Sequence, residues 1–141
     1  MITRMSMRRA VLCICAGAVY VSLLSADDAS IARGKYLVDE VARCGMCHTP
    51  ADANGQPDAT KYLKGGAFNL QPVQAVEGWH KTAPDLTSTS RMWQRWGDAG
   101  FAKFLETAAG PTGGKADAPM PAYKLSHEDA QAIVDYLHSL K

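Results

Sequence analysis

Apolar residues recur at helical spacing in three stretches of this chain. Ile31, Gly34, Leu37, Val38 and Val41 fall on one face of a helix from about Ser30 to Arg43. Phe101, Phe104, Leu105 and Ala108 do the same for a helix that begins near Asp98, a side chain able to cap it, and stops before Gly110-Pro111. Ala130, Ile133, Val134, Leu137 and Leu140 form a third stripe, opened by Ser126-His127-Glu128-Asp129, a capping box with Asp in place of Glu. A shorter helical turn is predicted around Arg91 to Trp96. Between Pro50 and Ala83 the periodicity is lost and turn signals replace it: Asn54-Gly55, Gln56-Pro57, Gly65-Gly66 and Gln71-Pro72. At most a short strand pair is expected around Ala67 to Val76. A loop of this length inside a small all-α domain is usually functional or wraps something. Gly110 to Pro119 is a second irregular stretch, expected to be flexible.

The amino terminus has a different pattern. Arg4, Arg8 and Arg9 precede an uncharged apolar run from Ala10 to Leu24, and Ser25-Ala26 offers small residues before Asp27-Asp28. Residues 1–26 therefore read as a cleavable secretory signal, which places the mature protein in the periplasm. The run falls short of the ~20 apolar residues that span a bilayer comfortably, so no stable membrane insertion is expected after its removal. Residues 27–141 then form one small domain of 115 residues. Three of the 15 Lys and Arg leave with the signal, and the remaining 12 against 14 Asp and Glu give a net charge of −2. That balance gives no basic surface for nucleic acid.

Export also simplifies the cysteines. Cys13 and Cys15 lie in the apolar core of the signal, and only Cys44 and Cys47 remain, which excludes a disulfide-rich scaffold. These two belong to Cys44-Gly45-Met46-Cys47-His48, and CxxCH is the attachment signature of c-type haem. On a helical turn, positions three and four apart share a face, so two thiols and an imidazole converge on one patch. The thiols can add to the two haem vinyl groups while His48 projects under the ring and binds iron. A redox-active dithiol and half of a zinc site are the alternatives. The first would need a βαβ pattern that is absent, and the second two further ligands from distant histidines. A single CxxCH implies a single haem.

If His48 takes one face of the iron, the other ligand comes from elsewhere. The best candidate is Met120 in Ala118-Pro119-Met120-Pro121-Ala122-Tyr123, where flanking prolines restrict the backbone. A gap-filling core methionine is the alternative. Met92 and then His80 are weaker candidates for the same position, and Met46 lies on the His48 side. His127 and His138, off the apolar stripe of the last helix, read as surface residues. A thioether ligand favours ferrous iron and raises the reduction potential.

With the Gly34 helix, CGMCH, Ala-Pro-Asp-Leu at 83–86, the segment Trp96 to Leu105, the Met120 loop and Asp135-Tyr136-Leu137 in this order, the chain resembles a class I c-type cytochrome. Its tail is similar to monohaem domains of cytochrome subunits of periplasmic dehydrogenases. The resemblance implies a cytochrome c fold, with first and last helices crossing near Gly34 and Tyr136/Leu137 around a covalent haem c. It implies that the Pro84 carbonyl accepts from His48 Nδ1–H, a plain turn proline being the alternative. It also implies that Trp96 donates to a haem propionate, a core tryptophan being the alternative. Electron transfer between redox proteins is the expected function, with a dehydrogenase as donor and an oxidase or another cytochrome as acceptor, and no catalytic residues. A dedicated subunit of a periplasmic dehydrogenase complex is the second reading, suggested by the long loop. A sensor or peroxidase with a labile sixth ligand is the third.

Overall fold

A backbone-to-backbone helix crossing organises the molecule. The computed structural model describes residues 27–140; the 1–26 signal expected from the sequence lies outside them. Residues 27–36 are helical (α1) and run into a π-helical turn, Leu37–Val41. One helical turn, α2 (Gly45–His48), follows at once. After a 3₁₀ turn at Ala59–Lys61 come two short strands, β1 (Gly66–Ala67) and β2 (Thr82–Ala83), then α3 (Arg91–Thr107) and α4 (His127–Ser139). α3 packs along α4, and the end of α1 crosses α4.

At that crossing an ideal Cβ on Gly34 would lie 1.9 Å from the Ala132 carbonyl oxygen and 2.7 Å from Tyr136 Cβ. Only a residue without a side chain admits this approach. Two polar contacts flank it. Ser30 Oγ donates to Asp135 Oδ2 at 2.5 Å, and the Arg33 guanidinium forks onto the Asp129 carboxylate at 2.9 and 3.2 Å. Ala132 and Tyr136, off the predicted α4 stripe, are buried because they face α1.

The first stripe holds for Leu37 and Val38, which are 5% and 0% exposed, but Val41 is 57% exposed. The cause is the π turn. Ala42 N–H donates to Leu37 O at 2.8 Å, an i→i+5 bond that inserts a residue into the turn and rotates Val41 off the 3.6-residue phase. The strand pair also differs from expectation. Gly66 and Ala67 pair antiparallel with Ala83 and Thr82, not within 67–76. Residues 68–81 are the loop between the strands, with Leu70, Val73 and Val76 exposed.

Ser90 caps α3, its Oγ accepting from Trp93 N–H at 3.2 Å. The two helical segments expected on either side of residue 97 are both present, joined through a kink at Gly97 (φ 63°, ψ 178°). Asp98 does not act as the expected cap. Its carboxylate accepts from Trp93 Nε1 at 2.7 Å and meets His138 Nε2 on α4 at 2.9 Å. Ser126 caps α4, accepting from Asp129 N–H at 3.1 Å, while the Asp129 carboxylate is taken by Arg33 and not by a reciprocal capping bond. The Gly110–Pro119 stretch is more ordered than its composition predicts, tied by Gly110 N–H to Gly114 O (2.6 Å) and Ala116 N–H to Ala108 O (3.0 Å).

Two outcomes follow from these contacts. Gly34→Ala should destabilise the protein by about 1–3 kcal/mol in denaturant titrations through overpacking, although alanine alone is worth ~1 kcal/mol in helix propensity. Asp98→Ala should cost about 1 kcal/mol near neutral pH by stripping the Trp93 indole of its acceptor. The hydrogen bond from Trp93, then that from His138, holds the Asp98 carboxyl below its ordinary 3.8. Its stabilisation is therefore present above that value and lost as pH falls through the lowered one, so wild type and variant should converge on the acid limb of a pH–stability profile.

Candidate haem site

The π turn delivers the attachment segment. After Val41 the chain turns through Ala42 and a left-handed Arg43 (φ 51°), and α2 closes with His48 N–H to Cys44 O at 2.8 Å. This single turn puts Cys44, Cys47 and His48 on one face, against a cavity of about 450 Å³. That volume falls in the ~300–1,000 Å³ range of cofactor pockets. Its lining is overwhelmingly apolar and includes Val38, Leu86, Phe101, Leu105, Ile133 and Leu137 from the helices and core. Phe68 and Leu70, from the loop after the attachment motif, form another part of the wall.

His48 is 5% exposed, and its Nδ1 lies 2.8 Å from the Pro84 carbonyl oxygen. A carbonyl only accepts, so Nδ1 carries the proton and Nε2 is left with its lone pair. Burial pushes the imidazole below its ordinary pKa, opposed by the bond to Pro84, so the ring is held neutral, the form that binds metal.

The thiols point away from disulfide chemistry. Burial pushes Cys44 up to about 11 and raises Cys47 as well. An exchange-active CxxC lowers a thiol pKa instead. Among the described residues, no three His, Cys, Asp or Glu side chains are placed to hold a metal ion between them.

Met120 lines the same cavity as His48 and the two cysteines. Its loop is tied at several points. Met120 N–H donates to Asp117 O (2.9 Å), His80 N–H to Ala118 O (2.8 Å) and Leu125 N–H to Leu105 O (3.1 Å). Tyr123 Oη donates to Ala42 O at 3.2 Å, joining this loop to the approach to Cys44. Met46, Met92 and His80 also line the cavity. His80 is largely solvent-exposed and lies 3.6 Å from Asp117, whereas Met92 packs against the core. Trp96 lines the cavity with its ring 5.2 Å from Phe104. Trp79 Nε1 is buried without a protein acceptor. His127 is exposed beside Glu106, and His138 stacks edge-on against Trp93 at 4.9 Å.

Residues 58–66 are the part of the site that sequence reasoning missed. Leu63 N–H donates to Thr49 Oγ1 (3.0 Å), Gly65 N–H to His48 O (2.7 Å), and Leu86 N–H to Leu63 O (2.9 Å). Gly65-Gly66 was the available signal, since both have positive φ, but a turn signal does not name its partners.

Donors, volume and apolar lining fit a haem, and comparison with known proteins agrees. The family model described as Cytochrome c matches residues 31–141. The cytochrome c subunit of the quinone alcohol dehydrogenase of Gluconobacter oxydans is 33% identical over 130 residues, 82% of this chain and 25% of that protein. The fructose dehydrogenase cytochrome subunit of Gluconobacter japonicus is 33% identical over 116 residues, 77% of this chain and 21% of its own length. A diheme c-type cytochrome of Cereibacter sphaeroides is 34% identical over 111 residues, 74% of this chain and 33% of its own. The chain thus spans a third or less of the length of these relatives. With the two thiols and the imidazole of its CxxCH turn on one apolar cavity, this chain belongs to the cytochrome c family, whose members carry covalent haem c and transfer electrons.

Proposed function

We propose that this protein is a periplasmic electron carrier with one haem c, held by thioethers to Cys44 and Cys47 and ligated by His48 and Met120. The observation that carries the reading is the convergence of these four side chains on one cavity. When bound, the haem supplies a one-electron Fe(II)/Fe(III) couple. The remaining work belongs to the chain. Cys44 and Cys47 fix the ring at one edge, and His48 offers Nε2 while Pro84 holds Nδ1–H and raises the donor strength of the ring. Met120 offers a soft, neutral sulfur, and the apolar walls exclude water, which favours a high potential. Trp96, which lines the cavity, is an N–H donor available to a propionate. Held by both His48 and Met120, the iron would offer peroxide or oxygen no free binding position. Donor and acceptor are redox proteins, a dehydrogenase on one side and an oxidase or another cytochrome on the other.

The second reading is a dedicated subunit of a dehydrogenase complex. Two observations favour it: the dehydrogenase cytochrome subunits among the relatives and the exposed Leu70, Val73 and Val76. Neighbouring exposed apolar side chains of this kind are common at protein interfaces. Purification from native membranes and periplasm separates the two, since a subunit would co-purify with a dehydrogenase at fixed stoichiometry.

The processed protein should exceed its polypeptide mass by one haem, and acid–acetone should leave the colour with the protein. Colour that extracts completely from wild type is incompatible with thioether attachment. Met120→Ala should lower the reduction potential, abolish the sulfur-to-iron absorption band of the oxidised protein and open the iron to CO. Met92→Leu should leave all three unchanged. Rapid, complete CO binding by wild type at neutral pH would instead favour the sensor or peroxidase class.

A further inference from the structure

Behind the attachment turn, on the side away from the cavity, lies a group of residues that ligation does not use. The π turn presents Asp39 to the 58–66 segment, where its carboxylate accepts from Tyr62 Oη and also pairs with Lys35. The ring of Tyr62 lies over Gly45, the first residue between the two cysteines. An ideal Cβ on Gly45 would stand 3.1 Å from Tyr62 Cε2 and 3.6 Å from Thr49 Oγ1. The next residues continue the contact. Leu63, 0% exposed, bonds Thr49 through N–H and Leu86 through its carbonyl, while Gly65 N–H bonds the His48 carbonyl. Gly65 also sits against Pro84, where an ideal Cβ would be 2.6 Å from the Pro84 carbonyl carbon.

One four-residue segment, 62–65, therefore touches both ends of the His48–Pro84 hydrogen bond: the turn that carries the imidazole and the strand end that carries the carbonyl. Its first residue is held by Asp39. We propose that Tyr62, clamped by Asp39, is a positioning residue that fixes the His48 imidazole against the Pro84 carbonyl and so sets the donor strength of the ring. The inference rests on His48 as the axial ligand. A firm Nδ1–H···O=C bond gives the ring more imidazolate character, which stabilises ferric iron. Loosening the clamp weakens that bond and raises the potential.

The test uses the haem-loaded full chain and two isosteric variants, Tyr62→Phe and Asp39→Asn. Tyr62→Phe removes the hydroxyl of the clamp and keeps every charge in place, Asp39→Asn weakens the clamp by exchanging its charged acceptor for a neutral amide oxygen, and neither opens a cavity. Three quantities are measured: the reduction potential, the solvent exchange rate of the haem-shifted His48 Nδ1–H signal by NMR, and the melting temperature. Tyr62→Phe should raise the potential and speed Nδ1–H exchange about tenfold, the factor expected for losing one charge-assisted hydrogen bond, and Asp39→Asn should move both in the same direction by less. A fall in melting temperature with potential and exchange at wild-type values would reduce Tyr62 to a packing residue and overturn the proposal. A shift in Asp39→Asn alone would trace the effect to charge and overturn it equally. Failure of the ligand assignment is distinguishable, because wild type itself would then show no haem-shifted Nδ1–H signal.

Discussion

Gly34 against the Ala132 carbonyl is the contact on which the rest of the molecule depends. With an ideal Cβ only 1.9 Å from that oxygen, no side chain at position 34 fits between the two backbones. The crossing fixes the end of α1 relative to α4, and α1 leads through the π turn straight into the attachment segment. It thereby also fixes where Cys44, Cys47 and His48 stand relative to Ile133 and Leu137, which form part of the cavity wall. Ser30 and Arg33 grip Asp135 and Asp129 on either side of the contact and oppose rotation about it. These polar pairs are partly or fully exposed and contribute more to geometry than to stability.

The cavity combines two requirements that pull apart. Excluding water calls for apolar walls, whereas orienting an imidazole calls for a buried acceptor. The chain resolves this with backbone groups. Pro84 supplies the carbonyl while its own ring nitrogen has no hydrogen to satisfy, and His48 is held by that carbonyl without any buried charge. A carboxylate in the same place would stabilise the ferric state much more strongly and oppose a high potential. The neutral imidazole and the apolar lining both keep uncompensated charge out of the cavity.

What the sequence revealed and what it hid divide along one physical line. The turn at Cys44–His48, the Ser126 cap and the stripe from Ala130 to Leu137 depend on residues within a few positions of one another, and short-range spacing exposes them. The excess residue in the π turn leaves no trace in composition, so Val41 reads as buried when it faces solvent. Asp98 looks like a cap because caps are local, whereas its partners are Trp93 and, on another helix, His138. The partners of Gly66 and Ala67 lie some 15 positions away in Thr82 and Ala83, beyond the reach of any turn signal. The Pro84 contact was accessible only through the family resemblance, since nothing in the intervening residues specifies a bond across 36 positions.

The two faces of the cavity are also built differently, and this bears on how the site works. The His48 side rests on α2, the π turn and the 62–65 segment, with hydrogen bonds to backbone at almost every residue. The Met120 side is a loop whose order comes from a few ties, to Leu105, Ala42 and residue 80. Local stability follows such differences, because a segment with fewer internal bonds opens at lower cost. Under the proposed ligation, a sulfur carried on the looser side would be the contact to yield first under heat or denaturant, while Cys44, Cys47 and His48 stay with their turn. The proposed carrier would need that sulfur in place in both oxidation states, which asks more of the Met120 loop than its few ties alone. The tie from Tyr123 Oη to Ala42 O is the one that answers this need, since it anchors the loop to the helical side of the site just ahead of Cys44.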